Sequence, residues 1–530
     1  MSSEEVLHKT IESLVKTNEQ QARQLEEMSI RIKELTAQIA WFQRQMFGRR
    51  SEKRIVPDTQ LSLFDDMEES SPADEESQEE TLQEHTPEKT AANKRKSKTR
   101  ENWENQPVLK TIVHEPEQVD LKRYRKIGEE ITYVVEHEPG KLYRVAHVRP
   151  KYGLVDSTEA VECGKGVIIA PLPLFPIYKG VPGASFLSEV LLQKYEYHMP
   201  FYRQIKKYAH LGMTGLKEAT LSGWFKRSMN LLSPLYEALI AEILKSGYCQ
   251  ADETTTNVIN HESHKADREY LWMIRAVTER LAAFFYDEGS RAGRVIKDLT
   301  DRYDFKGYIQ CDGFGGYTAA YKPGSGVTLI NCLVHIRRYF EQALEENRRP
   351  ATWFLHKIQE LYKIEHECDK ACMTPEQRKE ERLSRSKPLM TEMLHWLESE
   401  GLYYSERTLI GKAVGYAYVR WGNMMRVLDD GRLLLDNNLA ENEIRSITIC
   451  RKNYLFCGNH DAARNMCVIT SLLATCRNHN VNPRLYLSDV IEKMPYKEKA
   501  THEELLEILP HQWIKAHPEA VIENLREKIK

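Results

Sequence analysis

The sequence lacks three features that each mark a class of protein. Its ten cysteines include no C-x-x-C pair, which favours a reducing cytoplasm over a disulfide framework. No uninterrupted apolar run approaches the roughly 18 residues of a membrane-spanning helix, and the polar N-terminus is unlike a secretory signal. With 41% apolar and 29% charged residues over 530 positions, the composition is typical of a soluble protein with several domains.

The formal net charge is also small, at −3, but this value averages over two segments of opposite charge. Residues 65–88 carry eleven acidic side chains and no lysine or arginine, whereas residues 89–100 carry six basic side chains and no acid. The acidic part has too few apolar residues to fold, so a disordered charged linker is predicted over 47–106. Its basic side chains either bind nucleic-acid phosphates or form a solvated tail. The candidate contacts are Arg49, Arg50, Lys94, Arg95 and Lys96.

Residues 1–46 carry apolar side chains at heptad spacing. The a positions are Ile11, Asn18, Leu25, Ile32, Ile39 and Met46, and the d positions are Leu7, Leu14, Gln21, Met28, Leu35 and Phe42. A repeat of seven, with β-branched residues at several a positions, favours a parallel two-stranded coiled coil. The alternative is a single amphipathic helix that packs on its own domain.

The helical region 184–246 resembles a helix-turn-helix. Three helices are predicted in it, at 184–196, 200–210 and 215–231. A tight turn with Gly212 joins the last two, and Thr214 is a possible N-cap. The same spacing is common in helical bundles, so the DNA-binding interpretation depends on the basic residues of the third helix. These are Lys217, Lys226 and Arg227.

From residue 247 the apolar period changes from that of helices to that of strands. Three strand candidates are followed by alternating helices and strands, in the order β-β-β-α-β-α-β-α. This order is typical of a ribonuclease H-like sheet, so the fold class expected is α/β multidomain. The predicted parts are a coiled coil (1–46), a charged linker (47–106), a small β-rich module (107–170), the helical region (184–246), a first core part (247–347), a helical insertion (348–435), a last core part (436–495) and a helical tail (496–530).

Two acids gain significance from this order. Asp252 lies on the first strand and Asp312 at the end of the fourth, and these strands are neighbours in such a sheet. Their carboxylates can therefore meet at one edge and offer the oxygen ligands that Mg²⁺ prefers. Two such ions about 4 Å apart can activate an attacking oxygen and stabilise a leaving one. The alternative is that each Asp is a cap or turn residue at a strand end.

A third acid is expected on the helix that begins near Asp436. Asn438, Glu441 and Arg445 share one face of that helix, and Glu441 is the candidate for the third ligand. The alternative is a capped surface helix with an i, i+4 pair between Glu441 and Arg445.

A series of short motifs runs through nearly the whole chain in a fixed order. The motifs are Phe47-Gly-Arg-Arg-Ser-Glu-Lys53, Lys194-Tyr-Glu-Tyr-His-Met-Pro-Phe-Tyr-Arg203, Ala251-Asp-Glu-Thr-Thr255, Cys311-Asp-Gly313, Cys332-Leu-Val-His-Ile-Arg-Arg-Tyr-Phe340, Asp429-Asp-Gly-Arg432, Asp436-Asn-Asn-Leu-Ala-Glu441 and Arg451-Lys-Asn453. Any one of them is weak evidence, but the ordered series is specific. With these motifs the chain resembles the insertion-sequence-66 family of bacterial DDE transposases.

The resemblance implies an acid triad on Asp252, Asp312 and Glu441 that binds two Mg²⁺ or Mn²⁺ ions. It implies transposon-end and target DNA as substrates, a leucine-zipper N-terminus, and a helical insertion in the catalytic domain. A homo-oligomer formed through the coiled coil, small accessory proteins of the same element and a location at the bacterial nucleoid in the cytoplasm are expected. His335, Arg337 and Arg338 are candidates to contact the scissile phosphate, although His335 alone can equally be a packing histidine. Further candidates are Asn438 and Arg445 as active-site support, and Arg451 and Lys452 as DNA contacts.

The chain departs from the family at its zinc module. Two C-x-x-C pairs are usual near 117–121 and 153–157, but here those windows contain no cysteine, and only Cys163 remains nearby. A tetrahedral zinc site cannot be assembled from one ligand, so no zinc is expected. Metal analysis of the purified protein should find no stoichiometric zinc in this module. One zinc per chain that is lost on Cys163→Ser would contradict this.

Three functions fit the sequence. The first is an active transposase, in which water cleaves a strand at the element's end and the freed 3′ hydroxyl attacks target DNA. The second is a catalytically silent relative that binds DNA, and the third is a nuclease of the same fold without strand transfer. An intact triad argues against the silent relative, because DNA binding alone gives no reason to bring three carboxylates beside phosphates.

The heptads make the first segment testable by itself. A glutamate in the seam of a coiled coil is a buried charge without a partner, so Ile32→Glu should reduce oligomer size in light scattering. Asn18→Ile should stabilise assembly and loosen its register. If deletion of residues 1–46 leaves oligomer size and paired-end complexes unchanged, the heptads pack on their own chain.

Overall fold

The computed structural model describes residues 182–522 except 261, together with 140, 142, 151–153, 167–169 and 173–177. The coiled coil, the charged linker and most of the β-rich module lie outside these residues, so those predictions stay predictions. The module's described part is an antiparallel pair, β1 (Lys151–Gly153) and β2 (Val167–Ile169). None of the described helices combines the length and apolarity needed to span a membrane.

Three helices precede the main sheet, as predicted, but the third is much longer than expected. They are α1 (Ala184–Tyr195), α2 (Phe201–His210) and α3 (Glu218–Leu244). Helix α3 begins at 218 instead of 215 and continues to 244 instead of 231, and Lys217 rather than Thr214 is its N-cap. The extension has a structural reason, since the apolar side chains of its second half, such as Leu239 and Ile243, are buried in the core that contains the sheet.

The sheet has five strands and is mixed. Its elements in chain order are β3 (Tyr248–Asn260), β4 (Lys265–Ala276), β5 (Leu281–Phe285), α4 (Arg294–Arg302), β6 (Gly307–Cys311), α5 (Gly315–Ala320), β7 (Val327–Asn331) and α6 (Leu333–Ala343). This is the predicted succession of strands and helices. The strands lie in the order β5-β4-β3-β6-β7; β4 is antiparallel to β3 and β5, whereas β3, β6 and β7 are parallel.

The outer edge of β5 is covered by helix α12 (His460–Asn478). Ser471 accepts a hydrogen bond from the backbone N–H of Phe284 at 2.8 Å, and Thr475 donates to the carbonyl of Ala282 at 3.2 Å. From the neighbouring α3, the hydroxyl of Tyr236 donates to the carbonyl of Phe284 at 2.7 Å. Hydroxyl groups thus satisfy edge-strand backbone that would otherwise be free to pair with another chain.

The predicted insertion is helical. It contains α7 (Arg348–Lys370), α8 (Pro375–Glu381), a π-helical turn (Arg382–Ser386), α9 (Lys387–Glu398) and α10 (Leu409–Met425). Aromatic rings join it to α6: Phe340 and Phe354 stack with centroids 3.9 Å apart, and Phe354 meets Trp421 edge-on at 5.7 Å. The insertion therefore shares apolar packing with the helix that follows β7.

The chain returns to the sheet through α11 (Asn438–Asn453), which carries Glu441 near its start. After α12 it continues through α13 (Pro483–Lys493), α14 (His502–Leu506) and α15 (Pro510–Ala516). Helix α13 packs against α1, and Trp513 of α15 donates to Asp489 of α13 at 2.7 Å. The last helices therefore pack on the same core as the helical region before the sheet.

Two fully buried glutamines connect the start of α11 to the sheet. Gln250 of β3 and Gln310 of β6 are register partners, and their side chains hydrogen-bond to each other at 2.9 Å; we call them the glutamine pair. Gln250 also donates to the carbonyl of Asp436 at 2.8 Å and accepts from the N–H of Ala440 at 3.2 Å. Gln310 donates to the carbonyl of Leu434 at 2.7 Å. Both strands thereby bind the segment that enters α11.

A buried arginine of the insertion fixes the residues just before that segment. Arg382 is fully buried and forms two hydrogen bonds of 2.7 Å with the carboxylate of Glu365. Its remaining N–H groups donate to the carbonyls of Val427, Asp430 and Leu433 at 2.7–3.1 Å. Because Glu365 compensates the charge and the carbonyls fill the other donors, this cation is tolerated in the core.

The glutamine pair yields a stability prediction. In Gln310→Leu, the carbonyl of Leu434, the hydroxyl of Tyr248 and the amide of Gln250 lose a buried partner. Each buried group left without a partner costs about 1–3 kcal/mol, so the free energy of unfolding should fall by at least about 2 kcal/mol in urea denaturation. Gln342→Leu is the matched control, because Gln342 is exposed and should change stability by less than about 0.5 kcal/mol. Equal midpoints for the two variants would contradict the role of the pair.

Candidate active site

Two of the sequence-predicted acids follow register partners on neighbouring parallel strands. Asp252 lies on β3, two residues beyond Gln250, whereas Asp312 comes directly after the end of β6, two residues beyond Gln310. Side chains two apart on a strand point to the same side. Asp252 and Asp312 therefore follow the glutamine pair towards the same edge of the sheet.

The carboxylates at this edge act on one another's charge. Burial raises the pKa of Asp252, and together with the negative charges of Glu253, Asp312 and Glu441 it brings the value to about 8. A hydrogen bond from the N–H of Glu253, 2.8 Å long, opposes this rise. Asp312 accepts a hydrogen bond from the N–H of Phe314 at 2.8 Å, which fixes one of its oxygens. Such mutual repulsion is what a bound cation relieves.

Glu441 approaches the other two acids from α11. Its Oε1 is buried and has no hydrogen-bond partner, and it lies 3.7 Å from Nε2 of His335 on α6. Burial lowers the pKa of His335 despite the opposing charges of Glu441 and Asp312, which disfavours a charged imidazole beside Glu441. Among the described residues, this buried carboxylate oxygen has no hydrogen-bond partner.

These residues fit a divalent cation in their chemistry. The donors are carboxylate oxygens, their negative charge is not balanced locally, and one oxygen lacks any partner. In residues 182–522, however, no group of three or more His, Cys, Asp or Glu side chains is arranged to hold an ion. The acids are electrostatically coupled but do not form a closed ligand set in this structure.

A fourth acid and its partners were not predicted from the sequence. The side chain of Glu253 is 2% exposed, accepts hydrogen bonds from Arg291 at 2.8 and 3.1 Å, and accepts one from the hydroxyl of Tyr317 at 3.1 Å. Its position next to Asp252 was a signal for it. Arg291, in the loop after β5, had no such signal. Since Glu253 is already paired, its charge is better balanced than that of the other acids.

A cleft of about 510 Å³ opens beside Asp312. It is lined by Arg291, Asp312, Gly313, Phe314, His335, Arg338, Tyr339, Gln342, Tyr416 and Arg420. Tyr416 and Arg420 come from α10 of the insertion, and Arg420 donates to the carbonyl of Gly313 at 2.7 Å. No motif in the sequence indicated that the insertion would reach the loop after Asp312. Of the phosphate-contact candidates, His335 and Arg338 line the cleft.

Three other candidates do not line the cleft. Arg337 is engaged with Glu341 on its own helix at 2.8 Å. Asn438 is half-buried at the start of α11, where its N–H donates to Asp436, and Arg445 is exposed. The described residues contain no ion pair between Glu441 and Arg445, which was the alternative interpretation of this helix.

The basic residues proposed to contact DNA differ in their exposure and in whether their side chains are paired within the protein. Lys217, Arg227 and Lys452 are exposed, and Lys226 forms an exposed pair with Asp461 at 3.4 Å. Arg451 is occupied, because it donates to the carbonyl and hydroxyl of Thr255 at 2.6 and 2.7 Å. The remaining candidates lie outside the described residues. They are Arg49, Arg50, Lys94, Arg95 and Lys96.

Two nearby acids that could replace Glu441 are already engaged. Glu443 forms a buried ion pair with Arg275 of β4 and also accepts from Asn478 at 2.8 Å. Asp436 accepts from the hydroxyl of Tyr362 at 2.8 Å through one oxygen and from the N–H of Asn438 at 3.1 Å through the other. Their oxygens are used within the protein, whereas Oε1 of Glu441 is not.

Comparison with known proteins identifies relatives over most of the chain. The chain is 28% identical to the uncharacterized protein y4jD of Sinorhizobium fredii (strain NBRC 101917 / NGR234) over 402 residues, covering 73% of this chain and 76% of the relative. It is 25% identical to the uncharacterized protein y4hP of the same strain over 454 residues, which cover 81% of this chain and 79% of the relative. These names give no activity, so the relatives support the extent of the likeness alone.

Two family models match the chain. Residues 34–108 match a model described as "Transposase C of IS166 homeodomain", which supports a DNA-binding homeodomain-like region over the end of the predicted coiled coil and the charged linker. Residues 179–465, more than half of the chain, match the model described as "Transposase IS66 family". This match spans the helical region, the sheet, the insertion and α11, and it supports a transposase role. The chain therefore belongs to the IS66 family of transposases.

Proposed function

We propose that the protein cleaves DNA strands at transposon ends and joins the freed ends to target DNA, with Asp252, Asp312 and Glu441 as ligands of two Mg²⁺ or Mn²⁺ ions. The observation that carries the proposal is that Asp252 and Asp312 each lie two residues beyond a member of the glutamine pair, whose two residues are register partners on neighbouring parallel strands. Glu441 enters on a helix that the glutamine pair binds to the same two strands. Coupled carboxylates beside a cleft with arginines serve catalysis on phosphates better than DNA binding alone.

The strand arrangement supports a ribonuclease H-like core. Only β4 runs against the other strands, and the order β5-β4-β3-β6-β7 brings the first and fourth strands of the core together. Ligand sites in such sheets lie at the carboxyl ends of parallel strands, where Asp312 lies. Parts proposed on the sequence alone, the coiled coil and the zinc-free module, complete the architecture.

Bound metal ions would activate the attacking oxygen and stabilise the leaving one. In cleavage, the oxygen of water bonds to phosphorus and the bond to the 3′ oxygen breaks, which leaves a 3′ hydroxyl and a 5′ phosphate. In strand transfer that 3′ hydroxyl takes the place of water. His335 lies beside Glu441, with its Nε2 3.7 Å from Oε1 of Glu441, so this nitrogen can hold or release a proton at this edge.

The arginines that line the cleft are proposed to hold the DNA backbone near the acids. Arg338 and Arg420 make no ion pair with an acid among the described residues. Further contacts are proposed on the exposed face of α3, through Lys217 and Arg227, and in the homeodomain-like region 34–108. Contacts of this kind to phosphates make DNA affinity fall as salt increases.

The triad is tested by isosteric substitutions. Asp252→Asn, Asp312→Asn and Glu441→Gln each keep the side-chain shape and remove the charge that a metal ion requires. Each should lower Mg²⁺-dependent cleavage of labelled element ends by more than about a thousandfold, the scale on which loss of a catalytic group acts. Binding of the ends, measured by gel shift, should change little.

The control is Asp304→Asn, because Asp304 is 85% exposed and pairs only with the nearby Lys306. It should cleave normally. A triad variant that keeps near-normal cleavage is not a metal ligand. Cleavage by the unmodified protein without any joined product would support the nuclease interpretation, and end binding without cleavage would support the silent relative.

A further inference from the structure

One wall of the cleft is a stack of two tyrosines and an arginine from different helices. The rings of Tyr339 on α6 and Tyr416 on α10 lie 4.3 Å apart at 24°, and the guanidinium of Arg420 covers the ring of Tyr416 at 3.8 Å. We call these three residues the stacking wall. It lies beside Asp312 and Arg338, which line the same cleft.

The exposure of Tyr339 distinguishes this wall from ordinary core packing. Its neighbour Phe340 is fully buried and stacks on Phe354 in the core between α6 and the insertion. Tyr339 instead remains 37% exposed, although its ring stacks on Tyr416. Phe340 therefore supplies the aromatic contact that packs α6 on the insertion, and Tyr339 presents ring surface to the cleft.

Arg420 of this wall and the adjacent Arg338 lack the acidic partners that neighbouring arginines have. Arg337 is engaged with Glu341, and Arg291 with Glu253. Arg338 forms no hydrogen bond or ion pair with the described residues. Within the same described part of the chain, Arg420 donates only to the carbonyls of Tyr416 and Gly313, and its buried Nε has no partner there. Uncompensated positive charge next to an exposed ring fits a ligand with an anionic group and a flat aromatic group.

We propose that the cleft binds an unpaired nucleotide adjacent to the phosphodiester that is cut, with its base on Tyr339 and its phosphate on Arg338 and Arg420. The proposal deepens the proposed function and rests on it for the identity of the substrate. A base inside a duplex is stacked on both faces, so away from a duplex end a nucleotide must leave the stack before it can offer a face to a tyrosine. Stacking of this kind accepts any base, because every base has a π-face.

The inference gives the insertion a substrate-binding role. Tyr416 and Arg420 lie on α10, and Arg420 reaches the loop after Asp312 across 107 residues of sequence. The insertion would select DNA whose strand is frayed at the cutting position. Intact duplex would engage the arginines alone.

The test is a binding experiment with the full chain in EDTA, so that neither metal nor cleavage is required. The probes are two hairpin duplexes of equal charge, one blunt and one with a short single-stranded 3′ overhang that carries 2-aminopurine. Stacking on a tyrosine should quench 2-aminopurine, and the unmodified protein should prefer the overhang. Tyr339→Ala should abolish the quenching and weaken overhang binding roughly tenfold, while blunt-duplex binding stays unchanged.

Matched variants separate stacking from folding and from charge. Tyr418→Ala removes an exposed tyrosine of α10 that does not line the cleft, and this variant should behave like the unmodified protein. Tyr339→Phe should retain quenching. Arg338→Ala should weaken the binding of both probes, and Arg337→Ala should weaken the binding of each probe less than Arg338→Ala does.

Two outcomes would overturn the proposal, and neither depends on a variant folding well. One is an unmodified protein that binds both probes equally without quenching, which would mean that the cleft holds duplex phosphates only. The other is quenching that survives in Tyr339→Ala. Because binding is measured without metal, a preserved overhang preference in a protein that never cleaves would count against the proposed function alone.

Discussion

The glutamine pair is the constraint on which the geometry of the site depends. Gln250 and Gln310 are fully buried, so each amide must find partners inside the protein, and they find them in each other and in the backbone that leads into α11. A shift of that backbone by one residue would leave several buried groups unsatisfied, at about 1–3 kcal/mol each. The amides thus fix where Glu441 enters relative to Asp252 and Asp312.

Acidic and basic side chains occupy different places near the glutamine pair. The acids lie together at the sheet edge, where burial and mutual repulsion raise the pKa of Asp252 to about 8. Arg291, Arg338 and Arg420 line the cleft beside them, and within the described part of the chain only Arg291 pairs directly with an acid of the group, through Glu253. Arg338 and Arg420 stay available to an external anion. Acids that favour a bound cation, next to arginines that favour a bound anion, suit chemistry on a phosphodiester.

The insertion belongs to this arrangement rather than separating two halves of a core. Arg382 holds the loop before α11 through three carbonyls, and Arg420 reaches the loop after Asp312. One arginine therefore supports the helix of the third acid, and the other lines the cleft. Through these contacts, the helices between Asp312 and Glu441 in the sequence support the candidate site.

The sequence determined the elements and the three candidate acids. Alternating periods predicted the succession of strands and helices from β3 to α6, and the motifs around Asp252, Asp312 and Glu441 indicated where charge would gather. The length of α3, the engagement of Arg337 and Arg451 within the protein, and the contributions of Arg291 and Arg420 were decided by the tertiary structure. Periodicity and turns depend on residues close together in the chain, which a sequence displays directly. The partner of an arginine more than a hundred residues away depends on how whole helices pack, because only that packing brings the two backbones together.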